Sequence, residues 1–351
     1  MILPSTEFAV WILAIVSLLC LGSWANTLKL AGRWRFEYFY YDFVFGIVLC
    51  AGVAALALGA GRPQELTLQD NLLLVGYRKM AFALGSGVVL NLGMLLLLAA
   101  MSIAGMSIAF PLTLGVALAI SAAWDFVTIT QANIPLTFSG IALVLGAVVV
   151  AGLTYVRLLQ VRREAAQKAL APDPRTKSKR PKPRGAALAI ILSVVGGIVL
   201  SMFSKILSGA TGEGGLAPYP ALVLISVAVV VSSPFFVLFF TTFPVSGAAA
   251  MPSGYLAGSA KQHLLGLAGG VILGAGLLTS LIVAGAPSTA QPSPLIQYIL
   301  SNAAPLMAIA WGLLVWRELR EGDHRVRMLA AGIVVLFLAG LGMVAFAVSP
   351  K

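Results

Sequence analysis

Lys205 carries a charge where its neighbours carry none. It lies about 20 residues into an apolar run, 185–209, with Ser201 four positions earlier on the same helical face. A charged side chain within a membrane span costs about 2.5–3.5 kcal/mol on insertion scales, so it is a functional candidate by default. The ammonium can bind a carbonyl or anionic solute, pair with a carboxylate, or snorkel on its long stem to the interface. Ser201 with Lys205 also has the composition of a serine–lysine hydrolytic dyad, but a serine bonding back to its own helix is far commoner. The second polar concentration is R-W-R-F-E-Y-F-Y-Y-D, Arg33 to Asp42, in which Glu37 and Tyr41, and Tyr38 and Asp42, are one helical turn apart. It reads as an interfacial belt, or as the site at which Asp42 or Glu37 exchanges a proton in a symporter. Asp125 and Glu318 stand near Trp124 and Trp316, as interface residues do.

Neutral polar and aromatic residues supply the rest. Asn26, Asn91, Gln297 and Asn302 lie in apolar runs, and each amide both donates and accepts, which suits a polar neutral ligand or helix–helix glue. Trp24 and Trp311 offer flat faces to a ring. S-I-A-F-P-L (107–112) and S-N-A-A-P-L (301–306) each place a proline, Pro111 or Pro305, inside a run long enough to cross a bilayer. Proline frees a backbone carbonyl, and paired interruptions in two halves of a chain point to a transporter's binding site. Gly266, Gly270 and Gly274 form small-xxx-small steps and read as close helix packing.

These residues must be held by membrane helices. Of 351 residues, 60% are hydrophobic and only 10% charged, which excludes a soluble domain. Ten apolar runs of about 20 residues are expected as spans: 7–30, 38–60, 78–101, 103–124, 135–157, 185–209, 219–242, 263–285, 294–317 and 326–348. The expected fold is an all-α membrane protein of ten transmembrane helices. Residues 1–158 and 185–351 hold five each, and 159–184 is a basic linker with R-T-K-S-K-R-P-K-P-R at its core, a composition expected to be mobile. Five is odd, so the second half inserts upside down, giving two inverted repeats. Eighteen of the 23 basic residues fall on the linker's side and four on the other, which makes the linker cytoplasmic and turns both termini outward. The N-terminus has no positive n-region and is expected to remain as the first helix. The net charge of +11 does not indicate nucleic acid, because ten basic residues belong to the stretch Arg157 to Arg184. Cys20 and Cys50 give no disulfide framework or zinc spacing, and His263 and His324 are not spaced as a metal pair; no metal and no cofactor are expected.

G-S-W-A-N-T-L-K-L (22–30), R-W-R-F-E-Y-F-Y-Y-D-F (33–43), G-G-I-V-L-S-M-F-S-K (196–205) and S-N-A-A-P-L-M-A-I-A-W-G-L-L-V-W-R-E (301–318) resemble stretches of the ureide permeases and their bacterial relatives. These belong with rhamnose–proton and glucose/ribose porters in the drug/metabolite transporter superfamily. The resemblance implies inverted five-helix repeats and proton-coupled uptake of a small polar solute across the inner membrane. It carries over to Trp24, Asn26, Phe203, Lys205, Asn302, Pro305, Trp311 and Glu318. Lys205 stands where the plant proteins are expected to have a neutral residue. The linker has no G-x-x-x-x-G-K-[ST], so no ATP binding is expected.

The expectation is therefore a secondary active transporter, a proton symporter for a sugar, ureide or nucleobase-like metabolite. Its cavity would be lined by the first, fourth, sixth and ninth spans. Asn26, Lys205 and Asn302 would hydrogen-bond the solute, Trp24 and Trp311 would bracket it, and Pro111 and Pro305 would mark the bends. A membrane enzyme acting on a lipid-linked substrate is the alternative. It needs larger water-side loops than 243–262, which carries one charge, Lys261. A channel should show rings of like residues in place of pseudo-symmetry within one chain.

Overall fold

The computed structural model describes residues 3–4, 6–59, 67–128, 133–170, 184–245 and 247–348, and contains no strand among them. The first part of the chain forms α1 (Glu7–Ser23), α2 (Asn26–Leu30), α3 (Phe36–Leu58), α4 (Leu68–Leu74), α5 (Tyr77–Ala104), α6 (Met106–Thr128) and α7 (Ile134–Leu170). The second forms α8 (Arg184–Thr211), α9 (Pro218–Thr242), α10 (Pro252–Leu256), α11 (Ala260–Ala284), α12 (Pro294–Asn302) and α13 (Ala304–Ala310). A π-helical turn, Trp311–Val315, leads on to α14 (His324–Val348). Local signals set the starts. The Thr6 hydroxyl accepts from the Ala9 N–H, Ser259 and Gln262 close a capping box on α11, and prolines open α9, α10 and α12.

Eight helices among the described residues are long and apolar enough to cross a bilayer, and α12 with α13 and the π turn makes a ninth if that bent pair is one span. The bend is 45°. α1 is shorter, at 17 residues or roughly 25 Å, and the chain breaks at Trp24–Ala25 before α2. This is an all-helical, multi-pass membrane protein. Large apolar side chains such as Phe8, Leu56, Phe235 and Phe346 cover its outside, as a lipid-facing surface requires.

Two differences from the sequence reading concern element ends. α7 does not stop at 157 but runs to Leu170, so the first twelve positions of the expected linker are helix. Arg157 and Arg162 on this extension reach Asp323 and Glu321, each at 2.7 Å. The remainder, 171–183, lies outside the described residues, as do Arg62 and Lys351. Second, α5 and α6 are joined by one residue, Gly105, at φ +82°, a conformation open to glycine and little else.

The interior has two large apolar clusters. One joins α3, α5, α9 and α11, with Trp24 and Phe110; the other joins α6, α7, α13 and α14. The main helix pairs are α5 with α8, α7 with α14, α3 with α11, α6 with α8 and with α7, α5 with α9, α1 with α11, and α3 with α9. α13 lies against α6 and α1, and α12 against α14. Gly266, Gly270 and Gly274 are the points at which α11 touches α3: a methyl at each would strike Asp42, the Phe43 carbonyl and Cys50 respectively. At the centre of α3, α5 and α9, the Asn91 amide accepts from Tyr40 and Ser233 and donates to Ser232 and the Val229 carbonyl. It is fully partnered and serves as helix–helix glue.

Candidate functional site

The break between α12 and α13 follows from chemistry. Pro305 has no N–H to offer the Ser301 carbonyl, so the helix cannot continue through it. The Leu306 amide turns to the Ala303 carbonyl, three residues back, at 3.0 Å, and the Met307 amide resumes the ordinary helical bond to the same carbonyl at 3.4 Å. Ser301 and Asn302, at the end of α12, therefore face a space and not another turn of helix. That space is a cavity of about 440 Å³, also walled by Leu21 of α1, Asp125 of α6, Lys205 of α8 and Ser280 of α11. A narrower chamber of about 210 Å³ continues from it, walled by Trp24, Met94, Phe110 and Pro305. The two share Leu21, Ser121, Phe203, Ser204, Ser301 and Asn302, so they form one tapering hollow.

Lys205 neither snorkels nor stands alone. Its ammonium is paired with the Asp125 carboxylate across the α6–α8 contact, with the two side chains 24% and 22% exposed. Asp125, assigned from the sequence to an interface, is thus the partner that the sequence reading missed. It is the carboxylate near the end of the span neighbouring α8, and nothing in linear spacing connects positions 80 residues apart. The Ser201 hydroxyl is committed to the Ile198 carbonyl at 2.6 Å, which leaves no serine–lysine dyad. The Asn302 amide donates to the Tyr298 carbonyl at 2.9 Å, and both residues stay on the cavity wall.

Aromatic rings pack around the narrow end. Trp24 packs on Phe43 and Phe110, ring centroids 5.1 and 5.9 Å away. Toward the linker side, Glu318 accepts from the Met106 and Ser107 amides at 3.0 and 2.7 Å, and Lys29 pairs with it at 2.6 Å. The carboxylate sits on the positive N-terminal end of α6, a place that favours an anion. Burial pushes the Glu318 carboxyl up. Lys29 and the Ser107 amide outweigh that and hold it below the usual carboxylate range. Gly105 makes room: a Cβ there would come within 2.9 Å of the Glu318 carboxylate.

Three expected site residues are not part of the cavity wall. Asn26 accepts from Trp316 Nε1 at 2.6 Å and donates to the Ser23 carbonyl at 2.9 Å. Trp311 Nε1 donates to the Ser23 hydroxyl at 2.8 Å, so it pins the α1–α2 break. Pro111 is buried inside an unbroken α6. It stands at the sixth position of α6, which runs on through it, whereas Pro305 falls at the break between α12 and α13. The two S-x-A-x-P-L stretches thus lie at different depths. Trp24, Lys205, Asn302 and Pro305 are the expected residues that the structure brings together around the hollow.

Asp42 and Glu37 lie apart from it, on the linker side at the start of α3. Glu37 is buried against Arg35, 2.8 Å away, and Arg35 also donates to the Ala248 carbonyl. Asp42 accepts from the Tyr255 hydroxyl at 2.7 Å and meets His263 Nδ1 at 2.9 Å. Trp34 stands edge-on to the His263 ring. Burial, then the bond to Asp42, pushes the Tyr255 hydroxyl up to about 12, so it stays a donor. His263 and Tyr255 were not legible as partners, since they follow Asp42 by more than 200 residues. Among the described residues, no three His, Cys, Asp or Glu side chains gather as metal ligands would.

Comparison with protein-family models, with curated proteins and with solved structures gave no match.

Proposed function

We propose that this membrane protein is a secondary transporter that moves a small polar solute by alternating access. The observation that carries the reading is the tapering hollow, wide beside Lys205 and Asp125 and narrow beside Trp24 and Phe110; in this reading the Glu318–Lys29 pair is the latch that closes the linker side. A hollow at mid-bundle with one end closed is what one state of such a cycle requires. The pairing of helices supports a build of two inverted five-helix repeats. Exchange of the halves turns α5–α8 into α11–α1, α3–α11 into α9–α5, α6–α8 into α13–α1 and α6–α7 into α12–α14. It returns α7–α14, α3–α9 and α6–α13 to themselves. Counting α1 with α2 and α12 with α13 as spans gives the ten crossings this reading needs. The positive residues on the linker side favour a cytoplasmic linker and outward termini in an inner membrane.

The resemblance to ureide permeases and glucose/ribose porters favours proton-coupled uptake in the manner of the drug/metabolite transporters. In this reading Asp42, with His263 and Tyr255 around it, takes and releases the proton, outside the solute cavity. The test is solute uptake into proteoliposomes with and without an inward pH gradient, in the wild type and in Asp42→Asn. Gradient-driven uptake should fall at least tenfold in the variant, while solute-for-solute exchange persists. Uptake indifferent to the gradient in the wild type removes the coupling.

A further inference from the structure

The charge and lining of the hollow narrow its solute, on the premise that the transporter reading holds. Among the described wall residues only Lys205 and Asp125 are charged; they have opposite signs and stand on different helices. An anionic solute that engages Lys205 takes it from Asp125 and leaves that carboxylate half-buried without a partner. A cationic solute does the same to Lys205. A zwitterion gives each its partner back, carboxylate to Lys205 and ammonium to Asp125, so the exchange is charge for charge. Ser301, on the wall the two spaces share, adds a hydroxyl that can accept from the ammonium.

The inner chamber imposes a second condition. Its walls are Trp24, Phe110, Met94, Leu97 and Leu273, while the polar groups Ser121, Ser204, Ser301 and Asn302 gather where it opens into the wider space. A sugar or a ureide pushed to the bottom would bury hydroxyls or N–H groups against leucines with nothing to bond. An apolar body fits there. We propose that the solute is a zwitterion with an apolar side chain, the chemistry of a free aromatic or branched-chain amino acid, its charged end at Lys205–Asp125 and its side chain on Trp24 and Phe110.

The test is equilibrium binding of radiolabelled L-phenylalanine and L-leucine to the purified full chain. Competitors are phenethylamine, 3-phenylpropionate, D-glucose and allantoin. Uptake of the same compounds into proteoliposomes runs in parallel. The expected result is saturable binding of both amino acids, with the amine and the acid at least tenfold weaker. K205Q/D125N removes both charges together and strands neither; it should keep the wild-type melting temperature and lose at least tenfold in amino-acid affinity. Amino acids that fail to bind, or bind equally well to K205Q/D125N, overturn the inference. If glucose or allantoin is then taken up, the transporter reading stands without it. If no compound of any class is taken up, the transporter reading fails as well.

Discussion

Gly105 and Glu318 occupy each other's space. The positive φ at Gly105 brings the start of α6 under the Glu318 carboxylate, and any side chain at 105 meets both a forbidden backbone region and that carboxylate. Gly105→Ala should therefore destabilise the protein by about 1–3 kcal/mol, visible as a lower unfolding midpoint in detergent. Glu318→Gln keeps the shape but removes the charge that Lys29 and the α6 amides hold. It should cost about 1.5–3 kcal/mol at neutral pH. The pH dependence has a fixed sign. The folded carboxyl is held below its unfolded value, so its contribution is complete above the unfolded value and is lost as pH falls through the folded one. The stability gap between wild type and Glu318→Gln should be flat through neutral pH and close only below the ordinary carboxylate range. At this scale the sequence was half legible. Lys205 announced itself by its cost in an apolar run. Asp125, His263 and Tyr255 did not, because a partner is defined by distance in space and not by spacing along the chain.

Helix existence was readable because hydropathy over about 20 residues is a strong signal. Helix ends and breaks were less so. The extension of α7 through R-L-L-Q-V-R-R-E-A-A-Q-K-A-L is polar and hence invisible to hydropathy, yet it is made of good helix formers. The break at Trp24–Ala25 has no proline to mark it. The bend at Ala303 does, and the sequence located it, but it assigned the same role to Pro111, through which α6 runs on as one helix. Pro305→Ala restores an N–H for the Ser301 carbonyl. The expected outcome is a helix straighter than the 45° bend, a higher unfolding midpoint and a lower uptake rate. A rate unchanged by this substitution would show that the bend takes no part in the cycle.

Across the whole molecule, the proposed cycle makes the latch and the hollow opposite ends of one two-state system. Lys29–Glu318, Arg157–Asp323 and Arg162–Glu321 all tie the linker side, while Lys205–Asp125 is the one ion pair among the described residues at the wide end. Ser121→Cys places a thiol on the shared wall. A membrane-impermeant maleimide should label it from the side opposite the linker. Adding Glu318→Gln should raise labelling from the linker side, as loss of the latch shifts the population. The expected orientation and halves of the chain rest on charge bias and the position of the basic run. A cavity between the first, fourth, sixth and ninth spans was expected; the shares of α5, α9 and α11 in its wall were not, since a cavity is what several helices leave unfilled and no single stretch encodes it.

The one-residue turn at Gly105 also limits how such a protein can move. In the proposed cycle a joint this short leaves α5 and α6 little slack of their own, and the discontinuities at 24–25 and at 303 are where the bundle would bend. An antibody fragment or cyclic peptide that stiffens either joint would arrest the cycle without touching the solute. It would also hold the protein in a single shape for imaging.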